Sequence, residues 1–149
     1  NIISWLDWNR REYYGERHDF FRYMIAFRKE HAILRKPTRQ ASCGLPAISI
    51  HNGYPFNNRT DYTSRLIGVM YAGRDEKDTK DDIIFYGMNA YWEPLNMQLP
   101  ELPCGRKWKV CVNTFLPYTD GLEPEKQMDY THNNNLRIEP RTVVILTAE

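Results

Sequence analysis

The sequence predicts a mainly antiparallel β fold preceded by one amphipathic helix, and two observations support this. Residues 20–34 place apolar side chains at intervals of three and four, which is the helical period. After Pro37 the chain changes to short apolar runs separated by polar segments rich in Gly, Pro, Asn and Asp, a pattern typical of strands joined by turns. Seven such runs at this density favour an antiparallel sandwich.

The predicted helix lies in the segment FFRYMIAFRKEHAIL. Phe21 and Ile25 widen its apolar stripe, and Asp19 suits the first turn because negative charge is favoured near a helix N-terminus. Pro37 prevents much continuation, so we expect a helix at roughly Asp19–Arg35. A stripe this wide needs a substantial packing partner. The side chains of the stripe itself are Phe20, Met24, Phe27, His31 and Leu34.

The predicted strands follow in order along the rest of the chain, each a short run between turn segments. The charged segment Arg74–Asp82 is expected to be a solvated hairpin loop, including the adjacent carboxylates Asp81 and Asp82. The strands are Ile48–Ile50, Leu66–Tyr71, Ile83–Asn89, Leu95–Leu99, Trp108–Asn113, Leu136–Ile138 and Thr142–Thr147.

The composition is that of an ordinary globular domain and argues against several functions. The 149 residues are 42% hydrophobic and 26% charged, and the net charge of +1 gives no basic field for nucleic acid or anionic membranes. No apolar run approaches the roughly 20 residues of a membrane span. Cys43, Cys104 and Cys111 are odd in number and fit no CxxC spacing, so we expect reduced thiols and a cytoplasmic setting.

No set of residues has the spacing of a catalytic or metal centre. The sequence contains no GxSxG elbow and no glycine-rich phosphate-binding motif. Asp7 lies between Trp5 and Trp8, but an aspartate there is more typical of a turn or helix cap than of catalysis. We therefore predict no catalytic residue, no metal ligand and no cofactor. The histidines, too scattered for a zinc site, are His18, His31, His51 and His132.

Trp92, in the segment AYWEP, is open to two interpretations. It could stack against the apolar face of a glucan, or it could sit at a hairpin tip and pack on its own sheet, which is the commoner fate of such a ring. A sugar-binding platform needs two or more exposed rings on one face, with Tyr91 as the nearest candidate. The sequence does not show which rings are exposed.

Several segments occur in one characteristic order along nearly the whole chain. They are ISWLDW, FFRYMIAFRKEHAILRK, RLIGVMYAG, DDIIFYGMNAYWEPLNMQLP, KWKVCVNT and RTVVIL. In this order they resemble the C-terminal end of isoamylase-type glycogen debranching enzymes, which belong to the α-amylase superfamily together with pullulanases. In such enzymes an eight-stranded β/α barrel carries the chemistry, and an all-β sandwich follows it.

The resemblance implies a division of the chain at about residue 40. Residues 1–40 would be the end of the last barrel loop, Asn1–Trp8, and the final barrel helix; residues 41–149 would be the appended sandwich. The family cleaves α-1,6 linkages with an Asp nucleophile and a Glu acid/base. Both lie on strands before the matched region, so no catalytic residue is carried over.

The chain is thus expected to be a non-catalytic C-terminal part of a cytoplasmic α-glucan debranching hydrolase. Its expected partners are the catalytic barrel of the same polypeptide and glycogen, with no nucleic acid and no membrane. The helix stripe would face the barrel rather than the sandwich. In an isolated chain it would stay exposed, self-associate or fold back on the sheet.

The resemblance also marks candidate substrate contacts. The ISWLDW loop approaches the active-site face in this family, which makes Trp5 and Asp7 candidates beside Trp92. One alternative function is an α-glucan-binding module that uses exposed aromatic rings. Another is a plain interaction domain with no role in sugar binding.

Overall fold

The structure, a computed structural model, consists mainly of antiparallel β-strands, with two helices at the start of the chain. Of the segment Asn1–Trp8, only Trp5, Asp7 and Trp8 lie in the described part, and Pro37 also lies outside it. The structure describes residues 5, 7–36, 38–59, 62–75, 79–118, 120–122, 131–132 and 134–149.

The predicted helix is confirmed with different ends. A short helix α1 spans Arg10–Tyr13 and is followed by α2 at Gly15–Glu30. His31 adopts an extended conformation (φ −91°, ψ 98°) that ends α2, and Ala32–Leu34 forms a separate 3₁₀ turn. None of the helices in these ranges combines the length and the apolar character that a membrane span needs.

All seven predicted strands are present, and both ends of each strand lie within two residues of the predicted bounds. One further strand of two residues was not predicted, because it lies in the polar segment THNNN. The eight strands are β1 Ile48–His51, β2 Leu66–Gly73, β3 Asp82–Asn89, β4 Leu95–Gln98, β5 Trp108–Asn113, β6 Thr131–His132, β7 Asn135–Ile138 and β8 Thr142–Ala148.

The strands form two antiparallel sheets. The larger has five strands in the order β1-β2-β3-β8-β5, and the smaller has three in the order β4-β7-β6. The chain passes from the larger sheet to the smaller one between β3 and β4. This passage brings the residues after Asn89 to the end of both sheets.

The main core lies between the inner faces of the two sheets. Phe85 at its centre is fully buried, with its ring centroid 5.8 Å from that of Trp108. Gly87 allows the two sheets to approach, because a Cβ there would lie 2.8 Å from Cδ1 of Ile138 on the smaller sheet. Gly68 makes room for Phe85 on the adjacent strand, since a Cβ there would lie 2.5 Å from Cζ of Phe85. Other members of this core are Met70, Ile83, Met97, Val110, Leu136, Val144 and Leu146.

Helix α2 packs on the outer face of the five-stranded sheet. Its buried Phe27 contacts an apolar cluster made by strands β3, β5 and β8, namely Ile84, Val112 and Ile145. Phe20, Met24 and Leu34 pack against the same cluster. Of the three outcomes expected for an isolated chain, the one observed is therefore the stripe folded back on the sheet. The outer face of the sheet is itself apolar, so folding the stripe back on it buries both surfaces.

Candidate functional site

The connection from β3 to β4 presents Trp92 to solvent, with 65% of the residue exposed. Because this connection crosses between sheets, Trp92 is not at a hairpin tip as the packing interpretation assumed. The Tyr91 ring supports it, with ring centroids 4.1 Å apart. The guanidinium carbon of Arg65 lies 3.9 Å from the Tyr91 centroid. The backbone N–H groups of Ala90 and Arg141 donate to the carbonyl oxygens of Arg65 (2.9 Å) and Tyr91 (3.0 Å).

The buried side chain of Asn89, 2% exposed, fixes this connection from below. Its Nδ2 donates to the carbonyl oxygens of Glu93 (2.8 Å), Ile138 (3.1 Å) and Glu139 (3.1 Å). Its Oδ1 accepts from the backbone N–H of Tyr91 (2.9 Å). An amide NH₂ has two hydrogens, so these three carbonyls share them. Asn89 thus ties the Trp92 loop to the loop between β7 and β8.

A shallow polar depression of about 420 Å³ lies beside Arg65. Its volume falls within the roughly 300–1,000 Å³ typical of small-ligand pockets. Asn52 is held in place because its Oδ1 accepts from Gly53 N–H and its Nδ2 donates to the Arg59 carbonyl, both at 2.8 Å. The depression is lined by Asn52, Thr63, Ser64, Arg65, Leu66 and Leu95.

The other two predicted site residues lie on a different element. Trp5 is 73% exposed, and Asp7 occupies the turn before α1. Oδ1 of Asp7 accepts from the backbone N–H of Asn9 (3.1 Å), and Oδ2 lies 3.6 Å from Nε of Arg10. Asp7 therefore has the contacts of a turn residue. Within the described ranges, no hydrogen bond, ion pair or ring contact joins Trp5 or Asp7 to Trp92.

An exposed apolar surface lies at the β1 edge of the five-stranded sheet, beside α2. A groove of about 560 Å³ separates α2 from strands β2 and β3. Ile48 and Ile50 of the edge strand pair with Tyr71 and Val69, so their side chains share the outer face with the groove wall. We call this surface the open apolar face. Its most exposed members, 36 to 65% exposed, are Phe21, Ile25, Ile48, Ile50 and Ile67.

Asp81 is buried, which corrects the expectation of a solvated carboxylate. Its Oδ1 accepts from Ser42 N–H (2.9 Å), and its Oδ2 accepts from Ser42 Oγ (2.7 Å) and Cys43 N–H (3.0 Å). Burial alone would raise the pKa of Asp81, but these hydrogen bonds together outweigh it and lower the pKa to about 2. Both oxygens of Asp81 are thus engaged in holding the segment at Ser42 and Cys43 against the start of β3.

Asp82 is also only partly exposed, and its carboxylate links the end of α2 to the sheet. Its Oδ2 lies 2.9 Å from Nδ1 of His31. Cys111 on β5 is a free thiol, as are Cys43 and Cys104, and burial raises the pKa of the Cys111 thiol, which makes it a poor nucleophile. In the part of the chain that is described, no three His, Cys, Asp or Glu side chains could together hold a metal ion.

The contacts of Asp81 predict a specific pH dependence of stability. Because its pKa in the folded chain is below the ordinary value of 3.8, its contribution is fully present above that pH and is lost as the pH falls toward 2. Urea midpoints measured from pH 5 to pH 2 should show this loss. Asp81→Asn should be destabilised at pH 5 by about 1–3 kcal/mol and show a flatter pH profile. Asp19→Asn, at an exposed site, is the control; equal profiles for the two variants would contradict the assignment.

No protein-family model matches the chain, and no curated protein matches it significantly. The candidate sites therefore depend on their own geometry.

Proposed function

We propose that this chain is a non-catalytic β domain that packs against a larger catalytic domain. More specifically, we propose that the catalytic domain is the β/α barrel of an isoamylase-type enzyme that cleaves α-1,6 branches of glycogen or a related α-glucan. The order of the six matched segments supports the family, and the antiparallel sheets agree with the sandwich that the family would place here.

The open apolar face is the observation that carries the support role. Scattered exposed apolar residues are normal in soluble proteins, but a contiguous apolar surface beside a groove is typical of an interface. Here residues from α2, β1 and β2 contribute to one such surface. The charged residue that lines the groove is Arg28.

The barrel is the occupant that best suits this face. Helix α2 forms one wall of the groove, and the resemblance makes α2 the last helix of the barrel. The rest of a barrel would then lie directly beside α2. Burying a phenylalanine or isoleucine side chain contributes roughly 1.5–3 kcal/mol, so covering Phe21 and Ile25 would stabilise the junction and stiffen the scaffold under the active site.

The first test uses the 149-residue chain. We expect it to bind an apolar-surface dye, and Phe21→Asp should reduce the dye fluorescence because it places a charge on the open apolar face. Phe115→Asp is a matched control, since Phe115 is also exposed but does not line the groove. Equal dye binding by the two variants would show that the face is not the exposed apolar surface.

The second test uses the longer protein encoded by the reading frame that contains this chain. A barrel-length segment should precede Asn1, and the purified protein should release reducing ends from glycogen. In that protein Phe21→Asp should lower the free energy of unfolding by at least roughly 2 kcal/mol, and Phe115→Asp by much less. A reading frame without such a segment, or an active protein indifferent to Phe21→Asp, would overturn the proposal.

A further inference from the structure

The Trp92 connection lacks the second exposed ring of an extended sugar-binding platform, but it has three features of a site for one end of a sugar chain. The first is an aromatic ring with a free surface, because the C–H face of a sugar packs on an aromatic ring. Trp92 meets this condition at 65% exposure while Tyr91 supports it. An exposed tryptophan without such support would lose side-chain freedom on binding, which weakens affinity.

The second feature is rigidity of the backbone that carries the ring. Four carbonyl or N–H groups around the loop are bonded to the buried Asn89 amide. Two more backbone hydrogen bonds tie Ala90 and Tyr91 to neighbouring segments. A site held in its bound geometry before the ligand arrives avoids the cost of ordering it.

The third feature is a set of polar groups within reach of the ring. Arg65 lies over Tyr91 and also lines the 420 Å³ depression, so the depression adjoins the aromatic pair. Asn52, Thr63 and Ser64 line the same depression with amide and hydroxyl groups, which can donate to and accept from sugar hydroxyls. The exposed aromatic ring and the polar depression together match a polyhydroxyl ligand.

We infer that Trp92, Tyr91, Arg65 and the adjoining depression form a binding site for a short neutral oligosaccharide, an α-glucan segment. The choice of α-glucan among neutral sugars rests on the proposed function. Tyr91 is half-buried against Trp92 and is not a second separate platform. With a single free ring, the site should engage one end of a glucan chain and bind it in the millimolar range, where a complex is stabilised by only about 4 kcal/mol.

The test is affinity electrophoresis of the 149-residue chain in gels with and without glycogen, followed by titration with maltoheptaose monitored by the Trp92 indole N–H signal in NMR spectra. We expect retardation by glycogen and a maltoheptaose-dependent shift of that signal. Trp92→Ala should weaken binding about tenfold, the size of effect that loss of one stacked ring produces. Trp92→Phe should retain part of the affinity, and Arg65→Met should weaken it.

Two comparisons make the outcome decisive. Trp8→Ala removes another exposed tryptophan, 75% exposed on a different element, and should leave retardation unchanged. Any of three results would overturn the inference. Glycogen could retard wild type and Trp92→Ala equally, Trp8→Ala could lose as much retardation as Trp92→Ala, or the chain could bind an acidic polysaccharide more strongly than glycogen. If Trp92→Ala loses glucan binding but the Phe21→Asp tests contradict the barrel contact, the sugar site is supported and the proposed packing against a barrel is not. The reverse pattern would leave a domain that supports the barrel and binds no sugar.

Discussion

Phe85→Ala should reduce the free energy of unfolding by about 3–5 kcal/mol, the usual cost of truncating a fully buried phenylalanine. Phe85 is completely buried between the two sheets. Its ring lies 5.2 Å from the ring of buried His51 and 5.8 Å from that of Trp108, by centroid distances. The glycine at position 68 provides the space that Cζ of Phe85 occupies, and it has no side chain of its own to fill the cavity.

Urea unfolding followed by circular dichroism would measure this loss. Domains of this size are stabilised by about 5–15 kcal/mol, so Phe85→Ala should remain folded with a much lower midpoint. If it does not fold, Phe85→Leu offers a smaller step of roughly 1–2 kcal/mol. Phe115→Ala, at a residue 52% exposed, should cost less than about 1 kcal/mol. Similar losses for Phe85→Ala and Phe115→Ala would mean that the core is not where the sheets place it.

The strands could be predicted because their signal is local. Leu66–Gly73 is an apolar run bounded by polar segments, which can be recognised in the sequence, although the alternation of burial along it cannot. The apolar stripe of the helix could also be predicted from the sequence, but the surface that it packs against could not. Which surface Phe27 packs against depends on strands more than fifty residues away in the chain, including Ile84, and periodicity carries no information about that.

The candidate site was predictable only in part. Trp92 could be selected because an aromatic ring in a polar, proline-containing segment is unusual. Asn89 and Arg65 could not. An asparagine at the end of a strand is common before any turn, and the importance of Asn89 comes from carbonyls on β7 and the loop after it. The burial of Asp81 could not be predicted, for the same reason. Its partners Ser42 and Cys43 precede it by almost forty residues, and a run of charges otherwise indicates solvent.

Asn89 also gives the prediction that best connects the fold with the candidate site. Asn89→Ala leaves the buried carbonyl of Ile138, the partly buried carbonyl of Glu93 and the N–H of Tyr91 without their side-chain partner, and should cost about 2–4 kcal/mol. Asn89→Asp should cost more, about 3–5 kcal/mol. It keeps the acceptor for Tyr91 but places a buried, charged oxygen where Nδ2 donates to three carbonyl oxygens. Urea unfolding measures both losses.

The same substitutions should affect the loop more than the sheets. If Asn89 fixes the Trp92 connection, the NMR signal of the Trp92 indole N–H should move toward its unfolded position in Asn89→Ala while signals of core residues stay in place. Asn96→Asp adds the same charge at an exposed position of β4 and should leave both stability and that signal nearly unchanged. If Asn89→Asp is as stable as Asn96→Asp, the hydrogen bonds of the Asn89 amide do not hold the loop. The rigidity that the sugar site requires would then have no source in Asn89, and the affinity of Trp92 for glucan would have to come from the ring alone.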